Sequence, residues 1–261
     1  MADTLRPFEG FAFYYDSFMA NLVDYRGWVD YALHIGQSAF RPLHSAYQIK
    51  TILDLACGTG IPTLILLEKG FSVTGLDASP EMLSVLEKKA KEKGVSHRLK
   101  IILADMKDFR TEETFDACFS FYDSLNYLLT EEDLKGCFRS VFSSLKEGGI
   151  FAFDMNTIFC LETVWDNHSF WRESKELLTL WQNEYDKEKK ISTLYLKCWV
   201  KGPKGSFLHS FFEIHKERGY ELETIENLLR EAGFSGTKFF QHLTLEKPKP
   251  KTTRVMIVAI K

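Results

Sequence analysis

The chain has 261 residues, 45% of them hydrophobic and 26% charged, which suits one large domain or a core with an elaboration and allows a substantial buried core. Its net charge of −3, from 33 basic and 36 acidic residues, lacks the basic excess of a surface that grips nucleic acid, and the lysines of 88–91 are flanked by glutamates as on a solvated helix face. No apolar run approaches the roughly 18–20 residues of a membrane span, residues 1–6 lack the layout of a signal peptide, and the five scattered cysteines (Cys57, Cys118, Cys137, Cys160, Cys198) include no CxxC pair. The expectation is a cytoplasmic protein with reduced core thiols, no metal site, and neither nucleic acid nor membrane as partner.

Residues 8–45 read as helical, because Tyr14, Phe18, Leu22 and Tyr25, and then Trp28, Tyr31 and Ile35, recur at three- and four-residue spacing. A short apolar strand over 51–55 ends at the glycine turn Cys57-Gly58-Thr59-Gly60, and a helix over 61–68 follows, closed by Gly70. A strand over 71–76 ends at Asp77. Ser79 as N-cap and Pro80 at the first helical position then open a helix running to about 93. Strands over 99–103 and 115–121, a helix over 131–145 and a strand over 150–154 complete an alternating series. Short apolar strands alternating with amphipathic helices imply a doubly wound, mostly parallel sheet covered on both faces, with ligands at the carboxyl ends of its strands.

From about 158 to 217 the rhythm becomes all strand, with long candidates over 176–185, 191–200 and 206–216 joined by turn-like sequences. A helix over 221–232 ends at Gly233, and strands near 238–245 and 254–260 close the chain. The expected organisation is a core of 1–157 plus 218–261, with an antiparallel insertion over 158–217. The insertion also offers strand edges through which two copies could pair as a homodimer.

The segment Leu53-Asp54-Leu55-Ala56-Cys57-Gly58-Thr59-Gly60 concentrates the chemistry. Its glycines let the backbone turn sharply and approach a ligand. The GxGxxG of a nicotinamide enzyme is absent, since Thr63 stands where the third glycine would fall. These residues resemble the first motif of class I S-adenosylmethionine-dependent methyltransferases, DxxCGTG. The order over 51–154 is similar to that family throughout, implying a Rossmann-like α/β fold with a seven-stranded sheet and S-adenosylmethionine as cofactor.

By that resemblance, the backbone of Ala56, Cys57, Gly58, Thr59 and Gly60 lines the methionine part of the cofactor, and Asp54 helps hold its amino group through water. Asp77, 17 residues after Gly60, is the acid that takes the ribose hydroxyls, with Ala78 and Met82 beside it. Ala104, Asp105 and Met106 meet the adenine, Asp105 accepting from the exocyclic amine. Phe121, after the fourth strand of the core, lies near the reactive methyl, and the Asn/Asp-Pro-Pro-Tyr signature of adenine and glutamine methylation is absent there. The flanks resemble small-molecule N-methyltransferases, including those of amino sugars, in which N-terminal aromatics close over the cofactor. Tyr15, Tyr25 and Trp28 are the candidates for that cover, against a plain core role on an amphipathic helix.

The activated methyl needs an aligned nucleophile, and a small-molecule amine needs little base catalysis. Tyr15, Asp123 and His209 are the catalytic candidates, with Glu213 and His215 as further bases. His209, Phe211, Glu213 and His215 share one face of an alternating strand, read as a solvated face for His215 and evenly balanced for His209. Trp165, Trp171, Trp181 and Trp199 are read as packing the insertion onto the core. The alternatives are a methyltransferase of protein or RNA, which would show an open charged face near Asp123, and a cofactor-binding protein without turnover.

Overall fold

The computed structural model describes residues 3–19, 22–40 and 48–261. Strands β2 (Thr51–Leu55), β3 (Ser72–Asp77), β4 (Leu99–Leu103), β5 (Phe115–Ser120) and β6 (Leu145–Asn156) run parallel in the order β4-β3-β2-β5-β6. Beyond β6 lie β12 (Arg254–Ile260), antiparallel to it, and β11 (Gly236–Gln241), antiparallel to β12. Helices α3 (Ile61–Glu68), α4 (Pro80–Glu92), α5 (Glu131–Ser144) and α6 (Leu222–Ala232) supply the crossovers and the outer layer. Strand order reverses between β2 and β5, so the crevice for a ligand opens at their carboxyl ends.

Local sequence accounts for most boundaries. The Ser79 hydroxyl accepts from the Met82 amide at 3.1 Å with Pro80 behind it, and the Thr130 hydroxyl accepts from the Asp133 amide at 3.1 Å to open α5. Gly233, at φ +114°, ends α6. The run Phe115–Ser120 is buried at every position, as a central parallel strand must be. Gly60 turns the chain into α3 at φ +78°, and a Cβ there would stand 2.2 Å from Leu86 Cδ1. Gly60→Ala is therefore expected to cost roughly 1–3 kcal/mol through overpacking and a strained backbone, read as a lower urea midpoint with an unchanged m-value.

Three departures from the sequence reading matter. The stretch 8–45 is not one helix: a 3-10 turn at Phe11–Phe13 leads into α1 (Tyr15–Met19), and α2 (Tyr25–Ser38) starts afresh where Asp24 accepts from the Gly27 amide at 2.9 Å. Residues 20, 21 and 41–45 of that stretch lie outside the described residues. Strand β6 extends well beyond 150–154 at both ends, and β11 stops at Gln241 before a turn in which Leu243 takes φ +60°.

The second sheet holds β8 (Leu177–Asp186), β9 (Ile191–Lys201) and β10 (Phe207–Arg218) as an antiparallel meander. Two strands the sequence reading lacked form its edges. β7 (Ser169–Glu173) follows a π-helical turn at Cys160–Trp165 and pairs with β8, while β1 (Asp3–Leu5) pairs parallel with β10. The smaller sheet thus takes a strand from a part of the chain assigned to the core.

Candidate functional site

A cavity of about 850 Å³ opens at the carboxyl ends of β2, β3 and β5 and is roofed by the smaller sheet. That is toward the upper end of the usual range for ligand sites, about 300–1,000 Å³. At its floor, Ala56 (φ +57°) and Gly58 (φ +55°) turn the backbone after β2, and the Cys57 amide donates to the Leu76 carbonyl at 3.0 Å. Asp77 ends β3 beside this turn. Its Oδ2 accepts from the Gly58 amide at 2.8 Å and its Oδ1 from the Ser79 amide at 2.9 Å. Burial raises the Asp77 pKa, and these backbone donors oppose the shift.

Asp54 is buried beneath the turn and accepts from the Thr63 hydroxyl. Burial pushes its carboxyl up to about 7, opposed by Thr63 and reinforced by the charge of Asp77. Burial likewise pushes the Cys57 thiol up, so it is no nucleophile. Thr59 donates to Asp16 of α1, and Asp16 also pairs with Lys89 of α4, which ties the N-terminal helix to the glycine turn. Further round the wall, the Ala104 amide donates to the Asp77 carbonyl at 3.1 Å, and the exposed Asp105 carboxylate accepts from the Lys107 amide at 3.0 Å.

This donor set fits an adenosine-bearing amino acid. The acid at the end of β3 has lone pairs left for a diol, Asp105 can accept from an exocyclic amine, and a Cβ added to Gly58 would find nothing nearer than Met82 Sδ at 3.9 Å, so the backbone there has room for a close ligand.

The remaining cover comes from residues 6–15. Phe8 takes φ +63°, and Glu213 of β10, fully buried, accepts from the amides of Phe8 (3.0 Å), Gly10 (2.8 Å) and Phe11 (2.9 Å). Glu213 also meets His215 Nε2 at 3.0 Å, and His215 Nδ1 meets the Tyr127 hydroxyl at 3.0 Å. A single carboxylate therefore straps the N-terminal segment over the cavity. Tyr15 and Tyr25 meet on its wall, hydroxyl to hydroxyl at 3.3 Å. Burial raises both phenols, that of Tyr25 to about 12.

Beside Phe121, the chain turns through two left-handed residues, Tyr122 (φ +62°) and Asp123 (φ +54°), whose amides donate to the two carboxylate oxygens of Asp154 at 2.7 and 3.0 Å. Arg254 of β12 bonds both Asp123, at 2.7 Å, and Asp154, while its guanidinium lies 5.2 Å from the Trp28 ring and 5.3 Å from that of Tyr122. Asp123 is further bonded to Glu217 of β10, which accepts from Asn156 Nδ2 at 2.9 Å. Burial raises the pKa of Asp123 against the pull of Arg254, and burial together with Asp123 raises that of Glu217 well above the carboxylate range.

Tyr15, Tyr25, Asp54, Ala56, Cys57, Gly58, Thr59, Asp77, Ala78, Met82, Ala104, Asp105, Met106, Phe121 and Asp123 all line the cavity. Gly60 and Trp28 do not. Gly60 is turned toward Leu86, and Trp28 packs on Tyr122 and on His242, 4.2 Å between ring centroids. His209 is not brought to the cavity either: it sits exposed near the far end of β10, next to the irregular pairing at Phe207. His215, read as solvated, is instead 4% exposed and part of the wall. Of the tryptophans, Trp181 is stacked on Phe18 and Phe170, and Trp171 and Trp199 stack on each other away from the cavity. Glu217, Arg254 and Asn183 escaped the sequence reading. Among the described residues no cluster of His, Cys, Asp or Glu is placed to hold a metal ion, and no helix is long and apolar enough to cross a membrane.

Comparisons with known proteins agree with this geometry. A family model described as a methyltransferase domain matches residues 52–149. YqeM of Bacillus subtilis (strain 168), whose methyltransferase assignment is itself provisional, is 32% identical over 257 residues, spanning 97% of this chain and 97% of that protein. The solved structure of an S-adenosylmethionine-dependent methyltransferase from Clostridium acetobutylicum ATCC 824 superposes with a TM-score of 0.83 at 29% identity, covering 97% of this chain and 98% of that one. A shorter stretch of 121 residues, 46% of this chain and 48% of the relative, is 30% identical to the dTDP-3-amino-3,4,6-trideoxy-alpha-D-glucopyranose N,N-dimethyltransferase of Streptomyces venezuelae. Likeness that runs the whole length of the chain, insertion included, joins a glycine turn and strand-end acid set as this cofactor requires: the chain belongs to the S-adenosylmethionine-dependent methyltransferases.

Proposed function

We propose that the enzyme methylates a small-molecule amine seated between the cofactor and the smaller sheet. The observation that carries this reading is the cover over the cavity. Phe8 and its neighbours strap one side, and Phe170, Trp181, Leu194 and Leu196 form an apolar roof, which leaves a chamber of a size for a small acceptor. The Streptomyces venezuelae relative, an amino-sugar N-methyltransferase by name, supports the amine.

S-adenosylmethionine supplies a methyl group already activated on a sulfonium, so the protein's share is alignment, exclusion of water and care of the acceptor's proton. Asp77 and Asp105 bind, and the turn at Gly58 sets the depth of the ligand. Tyr15 stays a neutral hydroxyl near pH 7, since its phenol is pushed up by burial, and it orients through its bond to Tyr25. Asp123 presents a carboxyl at the mouth of the core.

The test is turnover, followed as S-adenosylhomocysteine release, with glucosamine, glycine and benzylamine set against glucose, glycolate and benzyl alcohol. Turnover confined to amines is expected. Turnover confined to the hydroxyl compounds, or methylation of protein or RNA with none of the small acceptors, overturns the proposal.

A further inference from the structure

Cross-strand pairing places Tyr185, Ser192 and Glu217 in one row of the smaller sheet and Asn183, Leu194 and His215 in the next. Directly opposed residues, and residues two apart on a strand, share a face, so Asn183, Ser192 and Glu217 all look the same way. Two buried atoms on this face, Asn183 Oδ1 and Ser192 Oγ, have no hydrogen-bond partner. Buried polar atoms without partners are rare in native proteins and ask for an explanation. Asn183, only 6% exposed, lines the cavity together with Glu217, itself 7% exposed. Glu217 and Asp123 are bonded carboxyl to carboxyl. Two carboxyls in contact cannot both ionise, so the pair keeps one proton and carries one negative charge.

We propose that the carboxyl pair of Glu217 and Asp123, on the cavity wall that also carries Asn183, is the subsite that seats the acceptor's ammonium nitrogen and takes its proton. This rests on the amine reading above. Asn183 Oδ1 accepts one N–H of the ammonium. A second N–H bond breaks as an O–H bond forms on the ionised carboxyl of the pair, and the electron pair left on nitrogen becomes the nucleophile. That electron pair makes the new N–C bond while the electrons of the C–S bond pass to sulfur. The product nitrogen carries the positive charge, and the extra proton on the carboxyl pair returns to solvent as the product leaves.

The groups facing Glu217 are Asp123 and Tyr127 from the segment after β5, Asn156 of β6, Cys160, and Arg254 of β12, which is itself paired with Asp154, with His215 two residues before Glu217 on its own strand. Burial pushes the Tyr127 phenol and the Cys160 thiol up, the latter to about 12, and Arg254 stays cationic. The carboxyl pair is therefore the titrating unit next to the nitrogen.

The probe is methylammonium chloride, titrated calorimetrically into the protein saturated with S-adenosylhomocysteine, with potassium chloride as the ionic control. Glu217→Gln keeps the shape of the side chain and an acceptor for Asn156 while removing one of the two carboxyls that share the charge. It is expected to weaken methylammonium at least 10-fold and leave S-adenosylhomocysteine affinity unchanged. With the best amine of the panel above it should lower kcat/KM about 100-fold at pH 7, the usual scale of a lost proton acceptor. That deficit should shrink as pH rises toward the amine's own pKa, and Glu217→Asp should restore part of the rate. Asn183→Leu should also weaken methylammonium while raising Tm, because it removes an unmet polar atom. Methylammonium affinity unaltered by Glu217→Gln, or absent in the wild type, overturns the subsite even if amines turn over. Turnover of hydroxyl compounds alone would overturn the amine reading and the subsite with it.

Discussion

Asp77→Ala is expected to reduce affinity for S-adenosylmethionine and S-adenosylhomocysteine by at least about 100-fold. The carboxylate would provide two charge-assisted hydrogen bonds to the ribose, each about 1.5–3 kcal/mol, and a loss of 2.8 kcal/mol already amounts to about 100-fold. The damage is compounded in the free protein, because Asp77 Oδ2 also holds the Gly58 amide and Oδ1 the Ser79 amide. Removing it leaves the glycine turn without one of its ties. Calorimetric titration measures the effect, with far-ultraviolet circular dichroism as the check on folding. A dissociation constant within threefold of the wild type would remove the ribose role from Asp77.

Arg254→Met should destabilise the fold by about 3–5 kcal/mol, the usual consequence of removing one partner from a buried ionic cluster. Arg254 is the cation shared by Asp123 and Asp154, which are 3% and 1% exposed. Asp154 in turn fixes the left-handed pair Tyr122 and Asp123 through their amides. The pH dependence has a definite sign. Arg254 lowers the Asp123 pKa, so its removal lifts the folded-state value further above the unfolded one. Such a group contributes stability below its unfolded pKa and loses it as pH rises through the folded pKa. The deficit of the variant should therefore be smaller at pH 5 than at pH 8 in urea titrations. An equal deficit at both would mean that lost packing against Trp28 and Tyr122, and not unpaired charge, dominates.

The cofactor half of the site could be read from sequence because each of its parts is specified close by. Ser79 and Pro80 closely follow the acid at the end of β3, the glycine turn it holds comes one strand and one helix earlier, and their order alone locates the crevice. The acceptor half resisted for a physical reason. Alternation along β10 says that His209, Glu213, His215 and Glu217 share a face, and it does not say whether that face meets water. The answer lies in distant partners: Phe8, Gly10 and Phe11 for Glu213, Tyr127 for His215, Asn156 and Asp123 for Glu217. His209 lies beyond the reach of these partners and stays exposed, so the same periodicity gave it a weight it does not have. One signal was present but unread: three acids or histidines in a row on a strand whose other face also carries apolar residues.

The pairing of Asp3–Leu5 with Phe211–Glu213 also constrains how the protein is made. The first strand has no edge to join, and the amides of Phe8, Gly10 and Phe11 have no carboxylate to meet, until some 200 further residues have left the ribosome. At about 5–20 residues per second that is a delay on the order of 10–40 s. By then β2 to β6 have already emerged and can pair among themselves. The floor of the chamber is thus positioned to form early in synthesis, and its strap to close near the end. A nascent chain halted between α5 and β10 would carry the glycine turn and Asp77 exposed to solvent, with the N-terminal segment open to proteolysis.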